Sequence, residues 1–424
     1  MKRKLGTNER VVWLSTQAGS LNFVNVAHLS NVLDEHVLRK ALDLLPQRHP
    51  LLKTRIEIQG NELLFNSDAV PQIPLRTEVR CSDDHWYDEA EKEINSPFPC
   101  FEGPLVRVVL LRGDKTSDIL VTFHHIIGDG MSGVYLMRDL LHLAGQITQG
   151  IIPVVEPFPE RPPMEDLLPA RGMDGLVRTA SLIGKQARTI LVLRPRKLPK
   201  DGEAPKEECI AHIIHQVLSQ KETQNLVTKC REESTTVHGA LCAALLKASA
   251  ALICDVTEKE RPIPVSFMST VDLRQFLNPP VGEEVGFFVS LVITGQNVAR
   301  TTKFWDLART ARDEVYKSIE KGEQFIFISL LDKLFPKGAT PTSLTKRASS
   351  IYPAALLVTN LGRLTIPEEY GPLFLQKFHM ALADTSVPEH FTASVVTYRD
   401  ELTINFSYTE PTLSEEHANT LVED

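Results

Sequence analysis

The spacing of hydrophobic and polar positions changes along the beginning of the chain, and each spacing predicts a different element. Residues 22–29 alternate well enough to predict a strand. Asp34 precedes a helical pattern and is expected to cap that helix. The apolar positions on one face of this helix are Val37, Leu38, Ala41, Leu42 and Leu45. Residues 51–57 predict another strand after it.

Two strongly apolar runs, residues 105–111 and 119–125, predict a β-hairpin. Gly113 and Asp114 lie between the runs and supply the turn signal. Apolar residues recur at helical spacing after Gly130, so a helix is expected to follow the second strand.

The second half of the chain repeats the order of strand, capped helix and further strands. Residues 210–217 predict a strand, and Ser219 begins a capping box that predicts a helix. Residues 236–253 predict a long apolar helix. Further strands are predicted at residues 286–293, 355–359, 391–398 and 402–408. Because the mixture lacks a regular βαβ rhythm, it favours an α+β fold with two similar lobes.

Prolines cluster between the two halves and divide the chain into three regions. Residues 1–150 are expected to form an N-terminal lobe, and residues 208–424 a C-terminal lobe. The connection, residues 151–207, is rich in proline and contains a basic amphipathic pattern at residues 171–200. This helix could dock an anionic carrier protein, coenzyme A phosphates or a membrane surface, or simply pack on its apolar face.

Composition and charge narrow the class of protein. The 424 residues are too many for one ordinary core, and 42% hydrophobic with 24% charged residues is typical of a globular protein. The net charge of −8 disfavours a nucleic-acid partner, because phosphate binding needs a basic surface.

The six scattered cysteines contain no C-x-x-C pair, which is typical of reduced thiols in the cytosol. The basic N-terminus has no apolar run behind it, so no signal peptide is expected. No stretch is expected to cross a bilayer. The chain is therefore expected to be cytoplasmic, and we expect a monomer.

The candidate chemistry lies where the second hairpin strand ends, at the adjacent His124 and His125. Side chains of a strand alternate between its faces, so the two rings point opposite ways and are poor candidates for sharing a metal ion. No metal site is expected. One ring should face a cleft, where a neutral imidazole could accept a proton from a hydroxyl or an amine. The alternative is that both histidines only pack or hydrogen-bond in the core.

The segment from His124 to Gly130 matches H-H-x-x-x-D-G and resembles the condensation-domain-like acyltransferase superfamily. This superfamily includes chloramphenicol acetyltransferase, peptide-synthetase condensation domains and polyketide-associated acyltransferases. Four other segments resemble motifs of the family in the family's order, namely residues 48–52, 271–274, 285–290 and 358–362. The resemblance therefore covers nearly the whole chain.

The resemblance implies two chloramphenicol-acetyltransferase-like lobes arranged as a V, with a tunnel between them. His125 would be the general base. Asp129, Gly130 and Arg274 would be structural, with Asp129 paired to Arg274, although Arg274 could equally be a surface charge. The candidates for lining the tunnel are His124, Ser290 and Asn360; the last two could equally be hydrogen-bonding residues at strand ends.

The activity implied is transfer of an acyl group, other than aminoacyl, from acyl-CoA or an acyl carrier protein to a small hydroxyl or amine acceptor. O-acylation of a lipid, a polyketide or another secondary metabolite fits best, because the likeness is to free-standing polyketide-associated enzymes. The thioester, on coenzyme A or phosphopantetheine, would be a co-substrate, and no permanently bound cofactor is expected. The alternatives are an epimerase or cyclase acting on a carrier-bound substrate, and a non-catalytic binding protein of the same fold.

Overall fold

The computed structural model of the protein describes residues 1–169, 193–205, 208–257, 261–335, 339–342 and 356–423. Helices and strands are mixed along this part of the chain, as the α+β expectation requires. The helices are α1 (Thr7–Thr16), α2 (Glu35–Arg48), α3 (His85–Asn95), α4 (Gly130–Thr148), α5 (Gln220–Glu232), α6 (Val237–Thr257), α7 (Phe304–Glu320), α8 (Glu323–Leu334) and α9 (Glu415–Glu423).

The strands pair into three sheets within the described residues. The strands are β1 (Lys2–Lys4), β2 (Leu21–Leu29), β3 (Arg55–Gln59), β4 (Glu62–Asn66), β5 (Leu75–Val79), β6 (Val106–Arg112), β7 (Ser117–His124), β8 (Ile210–Leu218), β9 (Ile263–Asp272), β10 (Val289–Val298), β11 (Leu356–Arg363), β12 (Glu369–Tyr370), β13 (Leu373–Asp384), β14 (Phe391–Tyr398) and β15 (Glu401–Glu410). The first large sheet has the order β12-β13-β2-β7-β6-β5 and the second β10-β9-β11-β14-β15-β8, while β1-β4-β3 form a small sheet.

Each large sheet and the helices packed on it make one lobe, and the second half of the sequence contributes two strands to the first sheet. β12 and β13 follow residue 208 in sequence but lie in the first sheet, where β13 pairs with β2 from Leu375 opposite Leu29 to Asp384 opposite Leu21. A division of the chain at residue 208 therefore separates the sequence into two parts without separating the two sheets.

Two helices begin where their capping signals predict. The Asp34 side chain accepts hydrogen bonds from the backbone N–H groups of His36 and Val37 at the start of α2. At α5, the Ser219 hydroxyl accepts from the Glu222 N–H, and the Glu222 carboxylate accepts from the Ser219 N–H. These bonds satisfy donors that a helix N-terminus otherwise leaves unpaired.

Two predicted strands begin later than their apolar runs do. Residues 50–53 form a 3-10 turn with proline at its start, so only Arg55–Gln59 is extended. In the other case β10 begins at Val289, because the backbone before it bonds to the opposite lobe. The N–H of Gly286 donates to the Ser132 hydroxyl at 3.1 Å, and the N–H of Phe288 donates to Asp129 at 2.9 Å.

No membrane-crossing segment was expected from the sequence, and one helix among the described residues, α6, passes a test of length and composition. Val237–Thr257 is long and apolar enough to span a membrane over its most apolar window. In the fold, 67% of that window is buried. The helix packs against β9 and α7 in the core of the second lobe, so its apolar residues are covered by protein.

The basic amphipathic pattern predicted at residues 171–200 falls largely on residues 170–192, which lie outside the described residues. The described flanks place the connection against both lobes. The N–H of Phe158 donates to the Arg48 carbonyl of the first lobe at 2.8 Å. Arg161 forms an ion pair with Glu284, before β10 of the second lobe, at 2.6 Å.

Candidate active site

The candidate histidines lie where β7, a central and fully buried strand of the first sheet, ends. His124 is the last residue of the strand, and His125 begins a 3-10 turn that ends at Ile127. Asp129 then caps α4, with its carboxylate accepting from the Ser132 N–H at 2.8 Å. The turn is therefore held at one end by the sheet and at the other by the helix.

His124 is a buried structural side chain with both ring nitrogens occupied. Its Nδ1 accepts from the Ile126 N–H at 3.2 Å, so the ring proton lies on Nε2, 3.2 Å from the Thr16 hydroxyl of α1. Burial lowers the pKa of His124 to about 3, which keeps the ring neutral. His124 lines a cavity of 460 Å³ between α1 and the end of α3, and is absent from the lining of the cavity that contains His125.

His125 presents a nitrogen that can act as a base. Its Nδ1 lies 2.7 Å from the carbonyl oxygen of Gly128. Because a carbonyl only accepts, Nδ1 carries the proton and Nε2 keeps its lone pair. Burial is the largest influence on the ring and lowers the pKa of His125 below the ordinary value of 6.5. Phe23 and Phe287 contact the ring edge-on, each at a centroid distance of 5.2 Å.

A cavity of 120 Å³ lies beside His125 between the two lobes, and we call it the His125 cavity. Its walls come from α1, from the ends of β2 and β13, from β9 to β11 and from α8. Most of the lining is apolar, including Val11, Val12, Leu291, Phe327, Leu331 and Leu357. A hydrocarbon chain bound here would be buried away from water, and few polar groups of the cavity wall would lose a hydrogen bond as a result.

Asp129 and Arg274 form a buried ion pair that joins the lobes. Arg274 donates from both terminal nitrogens to the two Asp129 oxygens, each at 3.0 Å, and both side chains are about 3% exposed. Burial alone would raise the pKa of Asp129, but the Arg274 charge and the N–H groups of Ser132 and Phe288 hold that pKa below its usual value. The pair that the resemblance implies is therefore present, and Arg274 is not a surface charge.

The remaining predicted residues divide between packing and lining. A Cβ at Gly130 would lie 2.7 Å from Leu361 and 3.0 Å from Met380, so the ends of these two side chains would have to shift to accept a larger residue. Ser290 lines the His125 cavity, and its hydroxyl donates to the Gln324 carbonyl at 2.6 Å. Asn360 is not in that lining; its side-chain oxygen accepts from the Gly362 N–H at 2.8 Å and shapes the end of β11.

Two motif segments that lie far apart in sequence, residues 48–52 and 285–290, meet beside α4. Arg48 and His49 both contact the Asp139 carboxylate, at 2.5 and 3.0 Å. The other ring nitrogen of His49 accepts from the Val285 N–H at 3.3 Å, which connects the segment to the backbone before β10. These motif residues thus hold the lobes together and lie outside the lining of the His125 cavity.

The cavity residues that sequence reasoning missed include two titratable ones, Asp384 and His390. They flank the loop between β13 and β14, and their facing side-chain atoms are 3.8 Å apart. β13 is buried on both faces over much of its length, so its sequence lacks the alternation that predicts a strand. The acidic residue at its end was therefore not placed in a cavity.

One group of metal-type ligands occurs among the described residues, Glu78, His85 and Glu89 on β5 and α3. Arg76 pairs with both carboxylates, and Lys92 contacts Glu89 at 3.2 Å. Because cations already neutralise these carboxylates, the group has the character of an ion-pair network, with Glu89 buried and Glu78 partly exposed.

Two family models match the chain and leave the proline-rich connection between them. The model described as Condensation domain matches residues 13–159, which include the His125 turn. The model described as Phthiocerol/phthiodiolone dimycocerosyl transferase C-terminus matches residues 208–407, which include Arg274 and Ser290.

Curated relatives fall in the same two groups. The phthiocerol/phthiodiolone dimycocerosyl transferase of Mycobacterium ulcerans is 25% identical over 304 residues, or 68% of each chain. Bacitracin synthase 1 of Bacillus licheniformis is 38% identical over 120 residues, which are 26% of this chain. Those residues are only 2% of the synthase, so the chain spans a small part of the peptide synthetases that it matches.

Solved structures share the whole fold at low identity. Polyketide synthase associated protein 5 from Mycobacterium tuberculosis superposes with a TM-score of 0.68 at 18% identity, over 99% of this chain and 96% of that one. The starter condensation domain of rhizomide synthetase, solved with C8-CoA, superposes with a TM-score of 0.69 at 12% identity. The superposition covers 100% of this chain and 93% of that one. The motifs of the chain, its two family-model matches and its fold agree with one another, and all of them make the chain similar to the condensation-domain-like acyltransferase superfamily.

Proposed function

We propose that the protein transfers an acyl group from a thioester to a hydroxyl or an amine, with His125 as the general base. The observation that carries the proposal is the position of His125. Its Nδ1 proton is committed to the Gly128 carbonyl, while the ring lines an apolar cavity between the lobes. A neutral imidazole with a free Nε2 in such a cavity suits proton abstraction from an attacking group.

The reaction needs no covalent intermediate on the enzyme. Nε2 of His125 accepts the proton as the acceptor oxygen or nitrogen bonds to the thioester carbon. The tetrahedral intermediate then collapses, the carbon–sulfur bond breaks, and the imidazolium returns the proton to the departing thiolate. The Gly128 carbonyl holds the ring in one orientation throughout, and Asp129 supports the turn through α4 and Arg274.

The apolar lining supports an acyl or lipid substrate. Branches and methylene groups of an acyl chain would contact Val12, Phe327 and Leu331, which come from α1 and α8. A related fold has been solved with C8-CoA, and a relative is named a dimycocerosyl transferase. We therefore propose acyl-CoA or an acyl carrier protein as the donor, the thioester being a co-substrate, and O-acylation of a lipid, a polyketide or another secondary metabolite as the most suitable reaction.

A mass-spectrometric screen tests the proposal. Acyl-CoA and acyl-carrier donors are offered against mixed alcohols and amines, and His125→Ala is compared with the wild type. We expect loss of about 10²-fold or more of the turnover in the variant, since a positioned general base contributes that much. The melting temperature of the variant should stay close to that of the wild type.

The outcomes separate the alternatives. Unchanged turnover in His125→Ala would remove the proposed mechanism. Conversion of a carrier-bound substrate without any added acceptor would instead favour an epimerase or a cyclase. Tight binding of a thioester with no product under any pairing would favour a binding protein.

A further inference from the structure

Asp384 lies on the same face of the first sheet as His125. It is the last residue of β13 and lies opposite Leu21 of β2, while the next residue of β2, Asn22, lies opposite His124. Leu21 is therefore adjacent to the residue that pairs with His124, and His125 begins the turn directly after that pair. Asp384 and Leu21 share a face because they lie opposite each other in antiparallel strands. Asp384, Leu21 and His125 all line the His125 cavity.

The Asp384 carboxylate has spare hydrogen-bonding capacity. One oxygen accepts from the backbone N–H of Ser386 at 3.0 Å and from the Ser386 hydroxyl. The other oxygen faces Nδ1 of His390 at 3.8 Å, beyond hydrogen-bond length. No lysine or arginine among the described residues forms an ion pair with Asp384. A carboxylate on the wall of an apolar cavity is stabilised when a ligand brings a donor to it.

The positions of apolar and titratable residues in the cavity lining indicate which part of a substrate lies near Asp384. The apolar wall of α1, β10 and α8 is suited to a hydrocarbon chain. Besides His125, Asp384 and His390 are the titratable residues in the lining of this cavity. The acceptor must place its reacting hydroxyl or amine against His125, and a second polar group near that nucleophile would lie in the same cavity as Asp384.

We propose that Asp384 is a substrate-recognition residue whose carboxylate accepts a hydrogen bond from a second donor group, a hydroxyl or an ammonium, on the acyl acceptor. This inference rests on the proposed function, because it takes the reacting group of the acceptor to lie at His125. The favoured acceptors are diols and amino alcohols.

The sheet sets the spacing of the two groups on the acceptor. Asp384 and His125 are two strands apart, so their backbones are separated by roughly 10 Å. Both side chains line the same cavity, so the gap between their polar atoms differs from the gap between the backbones. A nucleophile and a second donor a few bonds apart therefore match the site, whereas a long spacer would place one of them in the apolar wall.

Equilibrium binding tests the proposal without depending on turnover. Octan-1-ol, octane-1,3-diol and 3-aminooctan-1-ol are titrated calorimetrically into the full-length protein and into Asp384→Asn. The wild type should bind the diol or the amino alcohol about ten-fold more tightly than the mono-alcohol. A gain in affinity of this size is what one hydrogen bond to a charged group typically contributes. The two bifunctional probes distinguish a hydroxyl ligand from an ammonium ligand.

Asp384→Asn should abolish the preference while keeping the fold, because asparagine retains the oxygen that accepts from Ser386. Asp255→Asn makes the same charge change at an exposed residue paired with Arg300, and should leave the preference intact. If Asp384→Asn lost its fold, its melting temperature would be lowered. Asp384→Glu, which keeps the charge, is then tested instead and must retain the preference.

Three results would overturn the inference. These are equal or undetectable binding of all three probes by the wild type, a preference that survives in Asp384→Asn, and an equal loss for all three probes in that variant. The last result would make Asp384 an electrostatic partner of His125. Failure of the acyltransferase proposal is seen separately, as absence of product in the donor and acceptor screen.

Discussion

The tautomer of His125 depends on one backbone carbonyl. Gly128 accepts the Nδ1 proton at 2.7 Å because the 3-10 turn folds its carbonyl back onto the ring. Strand alternation alone predicts that the two histidines diverge, but cannot say which one faces the cleft. The turn supplies what alternation lacks, since it begins at His125 and leaves His124 inside the strand.

The pH dependence of catalysis follows from the environment of His125. The reaction requires the neutral ring, and burial lowers the pKa of His125 below 6.5. We therefore expect kcat/KM to fall only as the pH drops below 6.5, rather than at or above it. The measurement is kcat/KM between about pH 4.5 and 8 with the best pair from the screen.

Circular dichroism over the same pH range serves as the control for this profile, because loss of fold would imitate loss of the base. A decline that begins above 6.5 while the fold is intact would contradict a buried neutral His125. It would point to a base in a more solvated or more acidic setting.

The hydrogen-bond partners of Asp129 indicate its role, which its position in the motif alone does not. Its position after the histidine pair suggests a catalytic partner, yet its oxygens bond to Arg274, Ser132 and Phe288. Removing either member of a buried pair leaves an uncompensated charge and typically costs about 3–5 kcal/mol. Asp129 therefore stabilises the junction that carries His125, which agrees with the structural role that the resemblance implies.

At the scale of elements, the sequence predicts where many helices and strands lie, because their signals are local. Asp34 and Ser219 cap helices with their own side chains, and the hairpin of β6 and β7 follows two apolar runs. β13 was not predicted, since its exposure is decided by neighbours on both faces rather than by alternation. Its omission also hid Asp384.

The contact between α4 and β12 gives a prediction at this scale. Gly145 of α4 is buried, and a Cβ there would lie 2.2 Å from the backbone oxygen of Tyr370. Alanine is intrinsically better than glycine in a helix by about 1 kcal/mol. Here the backbone of β12 cannot rotate away as a side chain could, so we expect Gly145→Ala to destabilise the protein by about 1–3 kcal/mol.

The free energy of unfolding, measured by urea titration, tests this expectation. His142→Ala serves as the matched control, because His142 is exposed on the same helix and its replacement should change stability by no more than about 0.5 kcal/mol. A more stable Gly145→Ala variant would mean that α4 and β12 are not in close contact.

At the scale of the whole molecule, the two strands that the second half of the sequence contributes to the first sheet make the lobes interdependent. β13 carries Asp384 from the second half of the sequence into the first sheet, and the ion pair of Asp129 and Arg274 connects the lobes again. The His125 cavity gathers residues from Val11 to His390. Local patterns could not predict this lining, because it depends on how separate elements pack, and the V shape and the open tunnel remain predictions.

A cluster of aromatic and imidazole rings marks another junction between the lobes. His379 of β13 is fully buried, stacked on Trp86 of α3 at 4.6 Å, and lies edge-on to His28 of β2 and His215 of β8. The first three residues belong to the first lobe and His215 to the second. Asp118 contacts His28 and Asn405 contacts His215, while Lys377 adds positive charge nearby.

Acid should weaken this junction. Burial, with the charges of His28 and His215, lowers the pKa of His379 well below 6.5, and burial also lowers the pKa of His215. The unfolded chain therefore binds more protons than the folded one below pH 6.5. The stability that comes from keeping these histidines neutral is fully present above pH 6.5. It is lost as the pH falls, by up to about 1.4 kcal/mol per pH unit for each histidine with a lowered pKa.

His379→Phe isolates this contribution, because phenylalanine keeps a flat ring against Trp86 but cannot take up a proton. The free energy of unfolding is measured by urea titration between about pH 7 and 4.5. We expect the variant to lose less stability than the wild type over that range, whatever its stability at pH 7. His36→Gln, at an exposed histidine of α2, should keep the wild-type slope. If His379→Phe and the wild type decline in parallel, His379 is not what makes the protein sensitive to acid, and other buried groups with a lowered pKa, such as His124, account for the loss.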